Sequence, residues 1–324
     1  MRYDIAVIGN DESAIEMLFA AAASHQRTIA ILPESRHSSW IVAQALRRLV
    51  GNLLIDRNSA RRHYFSSVAT PRLLRRLIGS SLTEETNELV RMLERQGVEI
   101  QIGEAQFESP TELTVSSAAT CSRSVIAANN VIISTGMRHT AMHRPLGLVP
   151  FHRPESLLCG VTLPERLSIL GGGSFGAGLA ALCSLFGVRT HLLARDNHSS
   201  AMVELARDSE VTIVQHPCEI GLAQDSTGLD QSVADVVDCR RALGFTEHLN
   251  LPRIGIEPDE NGQLWCTSQF ETWCSGVFGI GEVVGFSPET ALRPLLQAER
   301  VMQRIAHPIT RPHFLTRQIP AARV

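Results

Sequence analysis

The chain has 324 residues, of which 44% are hydrophobic and 19% charged, and its formal net charge is -3. This length suffices for about two domains with their own cores, and the composition argues against a disordered chain or a polyanion-binding protein. No apolar run reaches the roughly 20 residues of a bilayer crossing, and no export signal precedes the first strand. We therefore expect a soluble cytoplasmic protein with no membrane or nucleic-acid partner.

The seven cysteines stand singly, without a CxxC pair or a Cys/His spacing of the kind that holds zinc. Their odd number, in a chain without an export signal, predicts reduced thiols that serve as small buried side chains. Residues 1–120 contain no cysteine. We predict no metal site.

The N-terminal part alternates strand and helix. Tyr3–Gly9 is an apolar strand, an alanine-rich helix follows to about Ser24, and Arg27–Leu32 is the next strand. Continuous apolar strands that alternate with helices are typical of a parallel sheet covered on both faces. Further along, Val98–Ile102 predicts another strand and Ser109–Arg123 a hairpin.

The same pattern begins again in the middle of the chain. A strand at Leu167–Leu170 enters the glycine-rich turn Gly171–Gly176, and a helix (Ala177–Phe186) and a second strand (Arg189–Leu193) follow. Two such βαβ units indicate an internal duplication of architecture.

The second glycine turn (Gly171–Gly176) predicts a dinucleotide site. Gly171 permits a tight turn, Gly173 lets the backbone approach a pyrophosphate, and Gly176 lets helix and strand pack closely. The amides at the helix N-terminus then face the phosphates. The alternative is a glycine turn with a purely architectural role.

The end of the next strand predicts which nucleotide binds. An NAD site places a carboxylate there, whereas an NADP site brings in an arginine. In our register Ala194 holds the carboxylate position and Arg195 meets a 2′-phosphate, which favours NADP over NAD. A shift of one residue would bring Asp196 into play, and Arg195 and Asp196 could also form a solvated surface pair.

The first glycine turn (Gly9–Ala14) departs from this pattern. Gly9 and Ala14 fit the fingerprint, but Asp11 stands where the second glycine is expected and Glu12 follows it. We predict that a carboxylate here caps the helix and takes the place of a pyrophosphate. After the second strand, Glu34 either contacts a ribose or is an ordinary surface residue.

Five segments together resemble the pyridine nucleotide-disulfide oxidoreductase family, and within it the soluble pyridine nucleotide transhydrogenases. They are YDIAVIGN from Tyr3, VIISTGMR (Val131–Arg138), GVTLPERLSILGGGSFG (Gly160–Gly176), IGIEPDENGQLW (Ile254–Trp265) and GVFGIGEVVGF (Gly276–Phe286). Their order and spacing cover nearly the whole chain to about residue 305.

The resemblance implies an α/β fold with two Rossmann-like dinucleotide-binding domains. The FAD-type domain would be discontinuous (residues 1–150 and 253–306), with the NAD(P)-type domain inserted (151–252) and a tail at 307–324. The implied activity is hydride transfer between NAD(P)H and FAD.

The same resemblance implies flavin contacts at two further segments. Ser134, Thr135 and Gly136 would line the flavin domain. Gly281 and Glu282 would face the ribitol and pyrophosphate, with Glu282 in place of the family's usual aspartate. A helix after Pro288 would point its N-terminus at the flavin ring.

Some family features are missing. The cysteine-bearing loop after the first βαβ unit is replaced by Ser35–Ser39, which runs directly into a helix at Trp40–Leu49. Gly178 stands in place of a glutamate, and the C-terminal dimerisation domain is not found, which leaves the oligomeric state open. No catalytic residue can be assigned.

Two functions follow from the sequence. The first is a flavin-dependent pyridine nucleotide oxidoreductase without a redox-active disulfide. The alternative is a catalytically inactive relative that binds NADP(H) or a partner protein and has weak or no FAD binding. A nucleic-acid role for the basic stretch Arg47–Arg76 has little support, because arginine-rich helix faces are usually solvated.

Overall fold

The computed structural model describes residues 2–34, 37–58, 71–139, 151–152, 163–171, 173–194, 201–215, 235–240 and 242–307. Within these ranges, no helix is long and apolar enough to cross a membrane. The predicted tail (307–324) lies beyond them except for its first residue.

The described helices are α1 (Glu12–Ala23), α2 (Ser39–Asn58), α3 (Pro71–Arg95), α4 (Ser174–Leu185), α5 (Ala201–Asp208) and α6 (Pro294–Ala306). The described strands are β1 (Arg2–Ile8), β2 (Thr28–Leu32), β3 (Glu99–Ile102), β4 (Glu104–Ser109), β5 (Glu112–Ser117), β6 (Ser122–Ile133), β7 (Met137–His139), β8 (Phe151–His152), β9 (Arg166–Leu170), β10 (Arg189–Ala194), β11 (Thr212–Gln215), β12 (Asp235–Asp238), β13 (Ala242–Gly244), β14 (Leu264–Trp265), β15 (Val277–Gly279) and β16 (Val284–Phe286).

Two main sheets organise these strands. The first has the order β3-β2-β1-β6-β5-β4, with β15 also paired to β6, and the second has the order β11-β10-β9-β12-β8. The pairs around β1 and around β9 are parallel, whereas β4, β5 and β6 form an antiparallel meander. This arrangement confirms the predicted α/β fold.

Both sheets have a switch point where ligands usually bind. The chain leaves β1 for β2 on one side and β6 lies on the other; β9, β10 and β12 repeat this layout. Crevices form outside the carboxyl ends of strands at such points. We call the space between the ends of β1 and β6 the first crevice, and that between β9 and β12 the second crevice.

One face of the first sheet is covered by α1, α6 and the C-terminal half of α3. Ile5 and Val7 of β1 pack there against one residue from each helix. These are Met17 of α1, Leu89 of α3 and Val301 of α6. Ile5 and Val7, two positions apart on β1, therefore point into this core. Their packing anchors β1 and so positions the first glycine turn that follows it.

Helix α2 is longer than the predicted Trp40–Leu49, and α2 and α3 both partly leave the first sheet. Leu46 and Val50 of α2 and Ile78 of α3 share a core with Leu179 and Leu182 of α4. The helix predicted at Trp40–Leu49 therefore belongs to a layer that covers the second sheet.

The helix expected after Pro288 begins at Pro294, because proline suits the first helical turn, where its missing N–H costs nothing. The chain also rejoins the first sheet before residue 253: the Phe107 amide donates to the Leu249 carbonyl (2.9 Å). The domain limits themselves stay predictions.

Candidate functional site

The first glycine turn lies directly against the end of β6. Gly9 has φ +128°, and a Cβ on it would lie 1.8 Å from the Ser134 carbonyl oxygen. Any other residue would therefore clash with the backbone of the neighbouring strand. The tight turn predicted at Gly9 is present, and it leaves little distance across the first crevice.

Asp11 fills the space that the first crevice would offer a ligand. It is 3% exposed, and its Oδ1 accepts hydrogen bonds from the Ala14 amide (2.8 Å) and the Ser134 hydroxyl. A Cβ on Gly281 would lie 2.4 Å from Asp11 Oδ2, and one on Gly136 would lie 3.6 Å from it. The carboxylate thus sits between the first glycine turn, the segment Ser134–Gly136 expected to line the flavin domain, and Gly281, expected to face the ribitol and pyrophosphate.

The predicted capping role of Asp11 is confirmed, since it is the N-cap of α1. Burial raises the pKa of Asp11 to about 7, and the negative charges of Glu282 and Glu12 add to this rise; the bonds from Ser134 and Ala14 oppose it. The two carboxyl oxygens of Asp11 already occupy this helix N-terminus, and above about pH 7 they carry the same sign of charge as a phosphate.

The strand-end part of the first crevice is narrow. A cavity of about 10 Å³ remains between Pro33, Gly103, Thr135, Phe245 and His248. That volume holds about one water. Thr135 is buried there, and within the described residues its hydroxyl has no hydrogen-bond partner.

Glu34 is bonded to the hairpin of the first sheet. Its carboxylate accepts from the amides of Ala118 (2.7 Å) and Ala119 (2.6 Å) and from the Ser117 hydroxyl (3.3 Å). These hydrogen bonds lower the pKa of Glu34, and the bond from the Ala118 amide has the largest effect. A ribose contact would have to replace them, and this role stays a prediction.

A larger cavity of about 320 Å³ lies beyond Asp11. Glu12, Trp40, Glu282 and Pro294 are among its lining residues. It therefore lies at the N-terminal ends of α1 and α6. Burial, and then the charge of Glu12, raises the pKa of Glu282.

The second glycine turn has a different character. Gly171 has φ +107°, and a Cβ on Gly176 would lie 2.2 Å from the Gly171 carbonyl oxygen, so helix and strand approach as closely as expected. Gly173 is the N-cap of α4 and supplies no side-chain cap. Among the described residues, no atom outside the immediate neighbours of Gly173 lies within 4 Å of a Cβ placed there.

The amides at the start of α4 are therefore not covered by a side chain at the N-cap, and a ligand can approach Gly173. Arg195, on which the preference for NADP depends, lies outside the described residues, as does Gly172.

Sequence reasoning missed a pair of charged residues beside this turn. Arg240 donates to Asp238 through Nε (3.0 Å to Oδ1) and Nη2 (2.9 Å to Oδ2). This hydrogen bonding raises the pKa of Arg240. The signal was an acidic residue, Asp238, at the end of strand β12 and a basic residue, Arg240, two positions later, since residues at the carboxyl end of a strand line a crevice.

The described cysteines do not form a reactive pair. Cys121, Cys183, Cys239, Cys266 and Cys274 are not joined in disulfides. Burial raises the pKa of Cys183 and of Cys266 to about 12, which keeps both as unreactive thiols at neutral pH. The described residues contain no cluster of three or more side chains suited to a metal ion.

Known proteins resemble this chain in both sequence and fold. The soluble pyridine nucleotide transhydrogenase of Pseudomonas savastanoi pv. phaseolicola is 25% identical over 88% of this chain and 67% of its own length. That of Hahella chejuensis is 24% identical over the same shares.

Solved structures agree in fold. The Cu(II) complex of the HOCl-induced flavoprotein disulfide reductase RclA from Escherichia coli has a TM-score of 0.62 at 18% identity, covering 94% of this chain and 71% of that one. LpdA from Mycobacterium tuberculosis has a TM-score of 0.58 at 18% identity, covering 94% and 72%. These neighbours confirm the Rossmann-like fold.

The profile of the pyridine nucleotide-disulphide oxidoreductases matches residues 3–303. Together with the named relatives, it supports flavin-dependent oxidoreduction as the chemistry of this group. Matching almost the whole chain, it confirms the resemblance seen in the sequence: the chain belongs to the pyridine nucleotide-disulphide oxidoreductase family.

Proposed function

We propose that this chain is a pyridine dinucleotide-binding member of its family that holds NADP(H) or NAD(H) in the second crevice and has weak or no FAD binding in the first. The observation that carries this proposal is the buried Asp11 carboxylate, bonded to the Ala14 amide and Ser134 across the first crevice.

FAD does not fit the first crevice with Asp11 in this position. Its pyrophosphate needs the helix amides that Asp11 already caps, and the space next to Gly136 and Gly281 that Asp11 already fills. Above about pH 7, where Asp11 is ionised, like charges within a few ångströms in a partly desolvated site cost on the order of several kcal/mol. Such a cost lowers affinity by roughly two to four powers of ten.

The second crevice keeps the features that a pyridine dinucleotide requires. Gly171 and Gly176 make the turn and the close packing, and Gly173 leaves the N-terminus of α4 open. Arg195 favours NADP(H) over NAD(H), since an arginine at that strand end meets a 2′-phosphate.

The test is an absorbance spectrum of the purified, desalted protein, with calorimetric titration by NADPH and NADH. We expect a colourless protein that binds NADPH more tightly than NADH. A yellow protein with stoichiometric FAD would contradict the proposal for the first crevice. Equal affinities would remove the role of Arg195, and no binding of either nucleotide would refute the second site.

A second candidate is flavin-dependent hydride transfer without a redox-active disulfide. The 320 Å³ cavity beside Glu282 and Pro294 favours it, because the family resemblance directs the last helix at the flavin ring. A bound flavin would accept hydride from NAD(P)H, and the protein would supply orientation. NADPH oxidation that depends on added FAD would support this candidate over the first.

A further inference from the structure

The second crevice has two walls, and the second glycine turn forms only one of them. The other wall follows β12: Asp238 pairs with Leu170 at the end of β9, and the Cys239 amide donates to the Leu170 carbonyl (2.7 Å). A Cβ on Gly171 would lie 3.2 Å from both Cγ and N of Arg240. Arg240 is therefore packed against the turn at the switch point of the sheet.

The Arg240 guanidinium is held in one direction. Its Nε and Nη2 donate to the two carboxylate oxygens of Asp238, and its backbone amide donates to Oδ1 as well (2.9 Å). The Asp238 side chain is 2% exposed, whereas that of Arg240 is 32% exposed. A guanidinium carries five N–H donors. The pair with Asp238 uses two, and three remain for a ligand.

We infer that Arg240 binds the diphosphate of the nucleotide in the second crevice, and that Asp238 is the positioning residue that holds it there. This inference rests on the proposed dinucleotide binding. The glycine turn offers backbone amides from one wall, and Arg240 offers planar donors from the other. Guanidinium groups suit phosphate oxygens because two parallel N–H bonds can form at once.

The role differs from that of Arg195. A 2′-phosphate distinguishes NADP from NAD, whereas both carry the diphosphate that Arg240 would contact. Arg240 therefore sets a preference for dinucleotides and other diphosphates over mononucleotides, and it does not discriminate between the two coenzymes.

The experiment compares Arg240→Gln with the wild-type chain by titration with NADPH, NADH, ADP-ribose and AMP. A charge-assisted hydrogen bond contributes about 1.5–3 kcal/mol, which corresponds to a loss of roughly 10- to 100-fold. We expect this loss for the three diphosphates alike, and an unchanged affinity for AMP. A general structural defect would weaken all four ligands together, which would overturn the inference.

Arg240→Gln leaves the buried Asp238 charge without its partner, which destabilises a fold. The double variant Asp238→Asn/Arg240→Gln replaces the ion pair with two neutral amides and removes that problem. Arg123→Gln is the matched control, because Arg123 also pairs with a carboxylate, that of Glu108, but in the first sheet.

A folded double variant that binds NADPH as tightly as wild type would overturn the role of Arg240 and leave the proposed function intact. If the wild-type chain itself binds neither NADPH nor NADH, the proposed function fails and the inference fails with it.

Discussion

The two crevices share one strand topology but contain side chains of opposite charge. In each, a glycine turn after a central strand faces the end of a neighbouring parallel strand. The first turn places the Asp11 carboxylate between its walls. Among the described residues, the second turn has open space at Gly173 and has Arg240 packed against Gly171. We propose that the same backbone plan accepts or excludes an anionic ligand according to one or two side chains.

The strongest test of this difference replaces a glycine of the second turn with the aspartate found at the same position of the first turn. Gly173 corresponds to Asp11, since each stands two residues after the first glycine of its turn. We expect Gly173→Asp to cap α4 and to lower the affinity for NADPH by roughly two to four powers of ten, for the electrostatic reason given for Asp11. Titration calorimetry measures this loss.

Gly173→Asn is the control for Gly173→Asp, because it adds nearly the same volume without charge. A much smaller loss is expected for it. In the part of the chain that the structure describes, no atom outside its neighbours lies within 4 Å of a Cβ at Gly173, so we expect neither variant to disturb folding. Equal losses for the two variants would assign the effect to bulk rather than charge.

The next effect concerns the pH dependence of stability. The pKa of Asp11 is raised from 3.8 to about 7 in the folded chain, so folding favours the protonated form. The contribution of protonated Asp11 to the free energy of unfolding is fully present below about pH 4, and it is lost as the pH rises through 7. Since one pKa unit corresponds to about 1.4 kcal/mol, ionisation of Asp11 lowers the free energy of unfolding by on the order of a few kcal/mol.

Asp11→Asn keeps the acceptor for Ala14 and Ser134 and removes the ionisation. We expect its free energy of unfolding to exceed that of wild type at pH 8 and to approach it at pH 5. Urea unfolding at the two pH values measures the difference. A wild-type chain whose stability changes no more than that of the variant would contradict a raised pKa.

A third change tests whether Asp11 alone closes the first crevice. Asp11→Gly with Glu12→Ala restores the fingerprint glycine and removes both charges. We expect FAD retention after desalting to rise by about a factor of ten or more, since at least about 1.4 kcal/mol of repulsion is removed. Losing the cap should also lower stability by about 1 kcal/mol.

An Asp11→Gly/Glu12→Ala variant that retains no more FAD than the wild type would point to another obstacle in the first crevice. Unchanged FAD retention would indicate that the short segment after Glu34, or the narrow space beside Phe245 and His248, already excludes the adenosine half. Stoichiometric FAD in the wild-type chain would contradict the electrostatic argument from the start.

The smallest expected effect is on disulfide reduction. In the family the redox-active cysteines lie in the loop after the first βαβ unit, and residues 1–120 of this chain contain no cysteine. We expect no NADPH-dependent reduction of a disulfide substrate, and no change when all seven cysteines are replaced by serine or alanine. Activity that disappears when one cysteine pair is replaced would reveal a different site.

Some features of the two turns are predictable from the sequence. The helix cap at Asp11 and the turns at Gly9 and Gly171 belong to this group because they depend on neighbours within a few residues. Backbone conformation and hydrogen bonds at a helix N-terminus are local, so the sequence pattern carries them directly.

Other features depend on residues far apart in the chain. Glu34 is held by amides 84 and 85 positions away, and these bonds exist only because the hairpin of the first sheet returns to β2. The packing of α2 on α4 joins segments whose apolar faces give no indication of their partner.

The sequence by itself therefore determined the two βαβ units, their glycine turns and the misplaced charge at Asp11, since each follows from local geometry and periodicity. Only the tertiary structure decided that Asp11 reaches Ser134 across the first crevice and that Arg240 faces Gly171 across the second. The physical reason is that a crevice has two walls from distant strands, and only the order of strands in the sheet brings them together.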